Sequence, residues 1–376
     1  MDQPLAFNHS SSADAELSVQ PWRAFADRAG WDALAARAAE PNPFAERWCL
    51  EAGLAAFDRA GKVRVAGLTV DGVLAGIMPM ARAWRYERYP LPHLAGWTHA
   101  NAFCGAPLVA AGHEHAFWRE LLAWADGNAG AALFLHLEQL PADGPLYAAL
   151  RDVCAAENRV AAVVQRTERA LLASELSPQE YFDASLSGKK RKELRRQSAR
   201  LSEEGEVRFE RRHDANDLER WADDFLALER NGWKGSEGSA LACDPAKAAF
   251  FRQALAGAAA AGRLERLAIT LDGAPIAMLA NFLTPPGAYS FKTAYDERLA
   301  RFSPGVLLQR ENLALLARDG IAWTDSCAAA DHPMIERIWR EKRALARVSI
   351  AIGGTARRAA AAALFRAETR RPLEGL

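Results

Sequence analysis

No stretch of this sequence approaches the ~20 consecutive apolar residues that a membrane-spanning helix needs. Its first residues, MDQPLAFNHSSSADAELS, also lack the basic-then-apolar order of a secretory signal. Both absences predict a soluble protein of the cytoplasm. Cysteine is scarce: Cys49, Cys104, Cys154, Cys243 and Cys327 are an odd, scattered set without C-x-x-C spacing. That argues for reduced thiols and against a disulfide framework or a structural zinc site, and no metal is expected. Net charge is absent as well, with 47 basic residues balancing 47 acidic ones. The chain as a whole therefore has no field to draw it to nucleic acid or an anionic membrane, and any such partner must be met by a local patch.

What is present divides in two. A chain of 376 residues is long for one core, so two domains are expected. Residues 1–18 are polar and Ser-rich and read as an unordered tail. From Trp22 the pattern is helical, Pro41-Asn42-Pro43 interrupts, and a second helix runs from Phe44 to Ala60. Two apolar segments follow, joined at Asp71-Gly72, a dipeptide that favours a two-residue hairpin. Helices are expected over Phe117–Ala125 and Leu146–Glu157, and strands over Ala131–Leu137 and Val160–Arg166. The hairpin then recurs: GKVRVAGLTVDGVLAGIMPM from Gly61 has a counterpart in GRLERLAITLDGAPIAMLAN from Gly262, with Gly61 against Gly262 and Asp71-Gly72 against Asp272-Gly273. Each follows a helix rich in Ala and Phe. Helix, glycine stop and Asp-Gly turn are individually common, but their shared register favours a duplicated α/β unit.

The second copy carries the densest signal. Tyr289–Tyr295 alternates as a half-buried strand, and Asp296–Arg301 is a charged loop. Ser303 stands at an N-cap position, Pro304 follows, and a helix is expected from Gly305 to the stop at Asp319-Gly320. Such a helix start offers free N–H donors to a phosphate, although capping alone also explains Ser-Pro-Gly. Ile321–Asp325 reads as the next strand, Pro333–Arg347 as a helix and Ala356–Arg371 as an Ala/Arg helical tail. Between the copies, Lys189–Arg200 holds seven Lys or Arg and one Glu. Lys189, Lys190 and Arg191 there suit phosphates, or else the helix is a solvated connector whose charges pair with Glu203, Glu204 and Glu206. The loop NGWKGSEGSA, with Trp233 and Lys234, reads as a substrate lid or a plain connector.

Three stretches, SGKKRKELRRQSARLSEEGEVRFE, LAITLDGAPIAMLANF and YSFKTAYDERLARFSPGVLLQ, resemble the Gcn5-related N-acetyltransferase (GNAT) superfamily. They resemble in particular the branch whose members include cellulose-biosynthesis-associated acetyltransferases and the Fem-type transferases. The resemblance implies an α/β (α+β) protein of tandem GNAT-like acyl-CoA N-acyltransferase folds, mixed central sheets flanked by helices. It divides the chain into a degenerate N-terminal copy at 19–177, an acyltransferase domain at 178–352 and a tail at 353–376. It implies acetyl-CoA or another acyl-CoA as donor, held by Arg301, Phe302, Ser303, Pro304, Gly305, Val306 and Leu307, with pantetheine along the strand bearing Lys292 and Thr293. The pyrophosphate loop keeps only one of the superfamily's glycines, which leaves an aminoacyl-tRNA donor open. Asp325 is the first candidate for base or acceptor carboxylate, Asp296 and His332 follow, and Tyr295 is the candidate acid. Each has a plain structural reading as loop start, cap or core. The acceptor implied is an amine or hydroxyl on a small molecule or polysaccharide precursor, with tRNA as a possible partner of the basic helix; the alternatives are Fem-like transfer from aminoacyl-tRNA and a catalytically silent RNA-binding or accessory module that keeps the fold.

Overall fold

The computed structural model describes residues 14–370 and 375–376, and over them the chain runs twice through one succession of elements. The first pass is β1 (Ala15–Pro21), α1 (Arg28–Ala35), α2 (Arg47–Phe57), β2 (Arg64–Val70), β3 (Val73–Ala83), β4 (His93–Gly96), β5 (Leu108–Val109), α3 (Glu114–Asn128), β6 (Phe134–Pro141), α4 (Pro145–Ala156) and β7 (Ala161–Leu172). Two helices, α5 (Pro178–Ser185) and α6 (Gly188–Glu203), lead to the second pass. That comprises β8 (Val207–Arg212), α7 (Leu218–Arg230), α8 (Trp233–Ser236), α9 (Pro245–Ala260), β9 (Leu264–Leu271), β10 (Ala274–Thr284), β11 (Gly287–Tyr295), α10 (Pro304–Asn312), β12 (Trp323–Asp325) and β13 (Glu341–Ala351), and α11 (Thr355–Thr369) closes the chain.

The repeat is visible down to single hydrogen bonds. Asp71 and Gly72 have φ of 49° and 77°, Asp272 and Gly273 have 50° and 78°, the left-handed pair that a tight hairpin demands. In the first copy the Asp71 carboxylate accepts the Asp14 N–H at 3.2 Å, and Asp71 N–H donates to the Asp14 carbonyl. In the second, the Asp272 carboxylate accepts the Glu206 N–H at 2.8 Å, and Asp272 N–H donates to the Glu206 carbonyl. Each turn thus pins the residue just before β1 or β8. Helices α2 and α9, the matching helices, pack on each other so closely that a Cβ at Gly257 would stand 2.8 Å from the Trp48 Cβ.

All the strands join one sheet in the order β1-β2-β3-β4-β6-β13-β7-β12-β11-β10-β9-β8, with β5 beside β3. Neighbours are antiparallel except β4 with β6 and β11 with β12, the same place in each copy. The copies exchange their last strands: β13 pairs with β6, β7 pairs with β12, and β7 and β13 lie side by side. At this seam Asp325, fully buried, accepts hydrogen bonds from Arg169 of β7 at 2.7 Å and Arg343 of β13 at 3.0 Å. Arg343 also donates to the Tyr289 hydroxyl at 3.2 Å, and that hydroxyl donates to the Pro41 carbonyl at 2.8 Å. One carboxylate therefore ties β7, β11, β12, β13 and a first-copy loop together.

Several expectations are corrected here. Pro333–Arg347, read as a helix, holds only a short turn at Ile335–Arg337 before β13. Its Arg and Ala favour helix locally, but a slot with backbone partners on both sides wins over that preference. The tail expected over 1–18 ends early, because β1 starts at Ala15 and pairs with β2 along its whole length; residues 1–13 lie outside the described residues. An edge strand exposing alternate residues reads as polar chain. The helix from Gly305 stops at Asn312 and continues as a 3-10 turn, Leu313–Ala317. The Ala/Arg tail is helical as read, Arg371 lying outside the described residues, and it is packed: Phe365 is buried against Phe134 and Tyr86.

Candidate functional site

Between β11 and β12 the sheet opens. These parallel strands pair only at Gly287–Tyr289 against Trp323–Asp325. Beyond that, β11 continues to Tyr295 while the chain after β12 turns off through Cys327 at φ 53°. A bulge in β11 makes Phe291 an extra residue against Ala280 and Asn281, so side chains after it switch faces. Thr293 and Tyr295 point toward α10: the Thr293 hydroxyl accepts from Gln309 at 3.5 Å, and Tyr295 packs with the cluster built from α6 and α10. Phe291 and Ala294 point the other way, into the cluster with α7 and α9.

On the α10 face lies a groove of ≈ 720 Å³ lined by Lys190, Tyr295, Ser303, Gly305, Met334 and Arg337, among others. Its apolar lining includes Leu186, Leu194, Val306 and Ile338, and its charged lining is Lys190 and Arg337 together with Glu193 and Glu336. The first turn of α10 is only partly free to bind an anion. Ser303 N–H donates to the Ala300 carbonyl, and Val306 and Leu307 N–H both donate to the Ser303 carbonyl. Pro304 has no N–H, so among the described residues Gly305 carries the one amide of this turn without an acceptor. Ser303 stands at the N-cap in the left-handed region, φ 56° and ψ 46°, and its side chain caps nothing. The amide set expected at Ser303, Gly305, Val306 and Leu307 thus reduces to Gly305.

The remaining candidates separate. Tyr295 lines the groove, its ring 3.1 Å from where a Gly305 Cβ would sit, and burial followed by the charge of Glu297 raises its phenol. Phe302 is buried beneath the loop, and Arg301 reaches back to Glu204 at 3.2 Å. Asp296 accepts from the backbone and guanidinium of Arg298, which hold its carboxyl below the usual range; it fixes the loop. His332 accepts weakly from Ile335 N–H at 3.5 Å, and burial and then the charge of Lys234 lower its imidazole. Asp325 is committed to two guanidiniums at zero exposure and cannot reach a substrate proton. Of the basic helix, Lys190 enters the groove and Lys189 faces solvent, whereas Arg191 ties down the end of α5 through Asp183 and Leu186.

On the opposite face of the opening stand Lys292, Lys234 and the exposed Trp233. Burial, then the charge of Lys234, pushes the Lys292 amine down to about 8. Lys234 is bonded to Glu229 at 2.8 Å, and Trp233 N–H donates to Glu297 at 2.8 Å. The charge of Lys234 thus lowers both the Lys292 amine and the His332 imidazole. Reading 333–347 as a helix hid Met334, Arg337 and Arg343. An Arg amid the apolar residues of a strand was the only local sign of the last.

Residues 188–333 match the family model of the acetyltransferase (GNAT) domain, which spans both faces of this opening. No curated protein matches the sequence. Among solved structures, the crystal structure of FemX has a TM-score of 0.56 at 10% identity, covering 90% of this chain and 97% of that one. A conserved protein of unknown function from Bacteroides thetaiotaomicron VPI-5482 has a TM-score of 0.55 at 11% identity, covering 86% and 96%. Likeness at that identity concerns the fold alone. Among the described residues no helix is long and apolar enough to cross a membrane, and no group of three His, Cys, Asp or Glu is placed to hold a metal ion.

Proposed function

We propose that this protein transfers an acyl group from acyl-CoA to an amine or hydroxyl. The observation that carries the reading is the conjunction, within the matched GNAT domain, of the sheet opening between β11 and β12 with the α10 groove ending at Gly305. The donor fits the groove by chemistry. Its phosphates face Lys190, Arg337 and the unclaimed Gly305 N–H at the positive end of α10, and its pantetheine arm passes Tyr295 over the apolar lining toward the gap between the strands.

The reaction joins the acceptor nitrogen or oxygen to the thioester carbonyl carbon and breaks the C–S bond, so the acceptor loses a proton and the departing thiolate gains one. His332, next in the chain to Pro333 and Met334 of the groove lining, is the base we assign, and burial followed by the charge of Lys234 lowers its imidazole. Tyr295, whose phenol stays protonated, is the acid beside the departing sulfur. Held between two faces of one sheet, the reactants gain most from positioning. Likeness to the cellulose-biosynthesis-associated branch supports a cytoplasmic enzyme acting on a polysaccharide or envelope precursor.

A second reading has its own observation. Lys189, Lys192 and Arg195 are exposed on α6, and among the described residues no acidic side chain pairs with them, a surface suited to a polyanion such as tRNA. Thermal-shift titration with CoA, acetyl-CoA and a long-chain acyl-CoA, with AMP as control and tRNA as competitor, separates the two. A ligand at a hundred times its Kd adds about 2.7 kcal/mol. Stabilisation by the CoA compounds is expected; a response to tRNA alone overturns the acyl-CoA reading.

A further inference from the structure

Strand β11 delivers a cation that no carboxylate among the described residues pairs with. Lys292 extends from the bulge into the opening beside Cys327 and retains partial exposure. Its ammonium lies 5.1 Å from the Phe103 ring and 5.7 Å from the Phe291 ring, and among the described residues it has no hydrogen-bond or ion-pair partner. Ring faces replace only part of the water that such a group gives up. The nearest carboxylate is already committed: Glu229 takes Lys234 on one oxygen and the Leu241 N–H on the other, both at 2.8 Å. His99, on the first-copy wall, is held neutral by burial and then by Lys292 itself, and burial keeps the Cys327 thiol protonated. Lys292, Lys234 and Glu229 therefore sum to one positive charge, with Lys247 in the first turn of α9 adding to the field from farther off.

Resting on the acyl-transfer reading, we propose that the acceptor carries a carboxylate, which seats on Lys292 with Lys234 and Trp233 at the mouth and Phe103 as the far wall. The groove lies on the α10 face and Lys292 on the α9 face, on either side of the stretch where β11 and β12 no longer pair. An acceptor anchored on Lys292 thus presents its nucleophile to a thioester arriving from the other side. A single net charge suits a monoanion; a phosphate dianion would leave one negative charge over. Both copies build the site, since Phe103 and His99 come from the first.

The test is mass-spectrometric rate measurement of Lys292 carbamylation by cyanate on the full chain saturated with CoA, with glycine, β-alanine and glutamate against their carboxamides and inorganic phosphate. Carboxylates are expected to slow labelling about tenfold, the worth of one charge-assisted hydrogen bond, and carboxamides to leave it unchanged. Protection by phosphate alone, protection by acids and amides alike, no protection, or a Lys292 that cyanate never reaches each overturn the proposal. CoA binding is read separately by thermal shift. A chain that binds CoA but shows no protection fails only here, whereas one that ignores CoA fails the donor reading.

Discussion

Replacing Asp325 by Asn separates framework from chemistry. The carboxylate has no exposure and answers two guanidiniums whose side chains are 6% and 8% exposed. Asparagine keeps the shape but removes the charge, leaving Arg169 and Arg343 facing each other across the β7–β13 seam. Breaking a buried ion pair from one side costs about 3–5 kcal/mol. At roughly 2.1 cal/mol/K of unfolding entropy per residue, a chain of 376 residues carries about 0.8 kcal/mol/K. The expected loss is therefore roughly 4–6 °C in melting temperature by calorimetry, with CoA affinity per folded molecule retained. Replacing all three residues with apolar ones of similar volume should recover much of that stability, since the desolvation penalty disappears with the pair. An Asp325→Asn protein with unchanged melting temperature and no turnover would refute this and return Asp325 to the reaction.

Gly305→Asp places a Cβ 3.1 Å from Met334 Sδ and the Tyr295 ring and a carboxylate at the one free amide, and should abolish CoA binding by calorimetry; unchanged affinity would remove the donor from this groove. Lys190→Glu and Arg337→Glu should each weaken CoA binding roughly tenfold and flatten its salt dependence, while melting temperature holds. His136, buried with Nδ1 on Ser349 at 2.9 Å and Nε2 without a hydrogen bond, 3.8 Å from Glu138, is pushed down to about 3 by burial and then by Arg347. Unfolded chains bind that proton near pH 6.5, so stability should fall as pH drops from 6.5 toward 3, by up to several kcal/mol. His136→Gln should flatten that limb in urea titrations at pH 7, 5 and 4; an unchanged slope would assign it elsewhere.

Much of the framework was legible because its causes are local. Asp71-Gly72 and Asp272-Gly273 announce their hairpins through turn chemistry, and the shared register of their flanks announces the repeat. Tyr289–Tyr295 and the Pro304 helix start were equally plain. Long-range causes were not. Nothing near Glu341 says that β6 and β7 wait on either side, so a run rich in Arg and Ala reads as helix. Nothing near Asp325 names Arg169, 156 residues earlier, as its partner, and so a framework carboxylate reads as a base or an acceptor-binding group. At the site, motif and resemblance single out Tyr295, Gly305 and Lys190, which line the α10 groove, whereas Arg337, another lining residue, lies within the misread helix. The amides of Val306 and Leu307 were counted as free because a sequence does not reveal that a left-handed Ser303 turns its carbonyl to both.

The exchange of β7 and β13 bears on the order of synthesis. When the first copy has left the ribosome, β6 still has an unpaired edge, and its partner begins only at Glu341, two hundred residues downstream by roughly any count from that strand's end. The nascent chain must carry that open edge through most of its own translation, an invitation to wrong partners. Neither copy can be released as an independent module by cutting near residue 177, since each fragment would keep a strand belonging to the other. A split protein would have to be rejoined as two chains that complete one another, like the halves of a clasp.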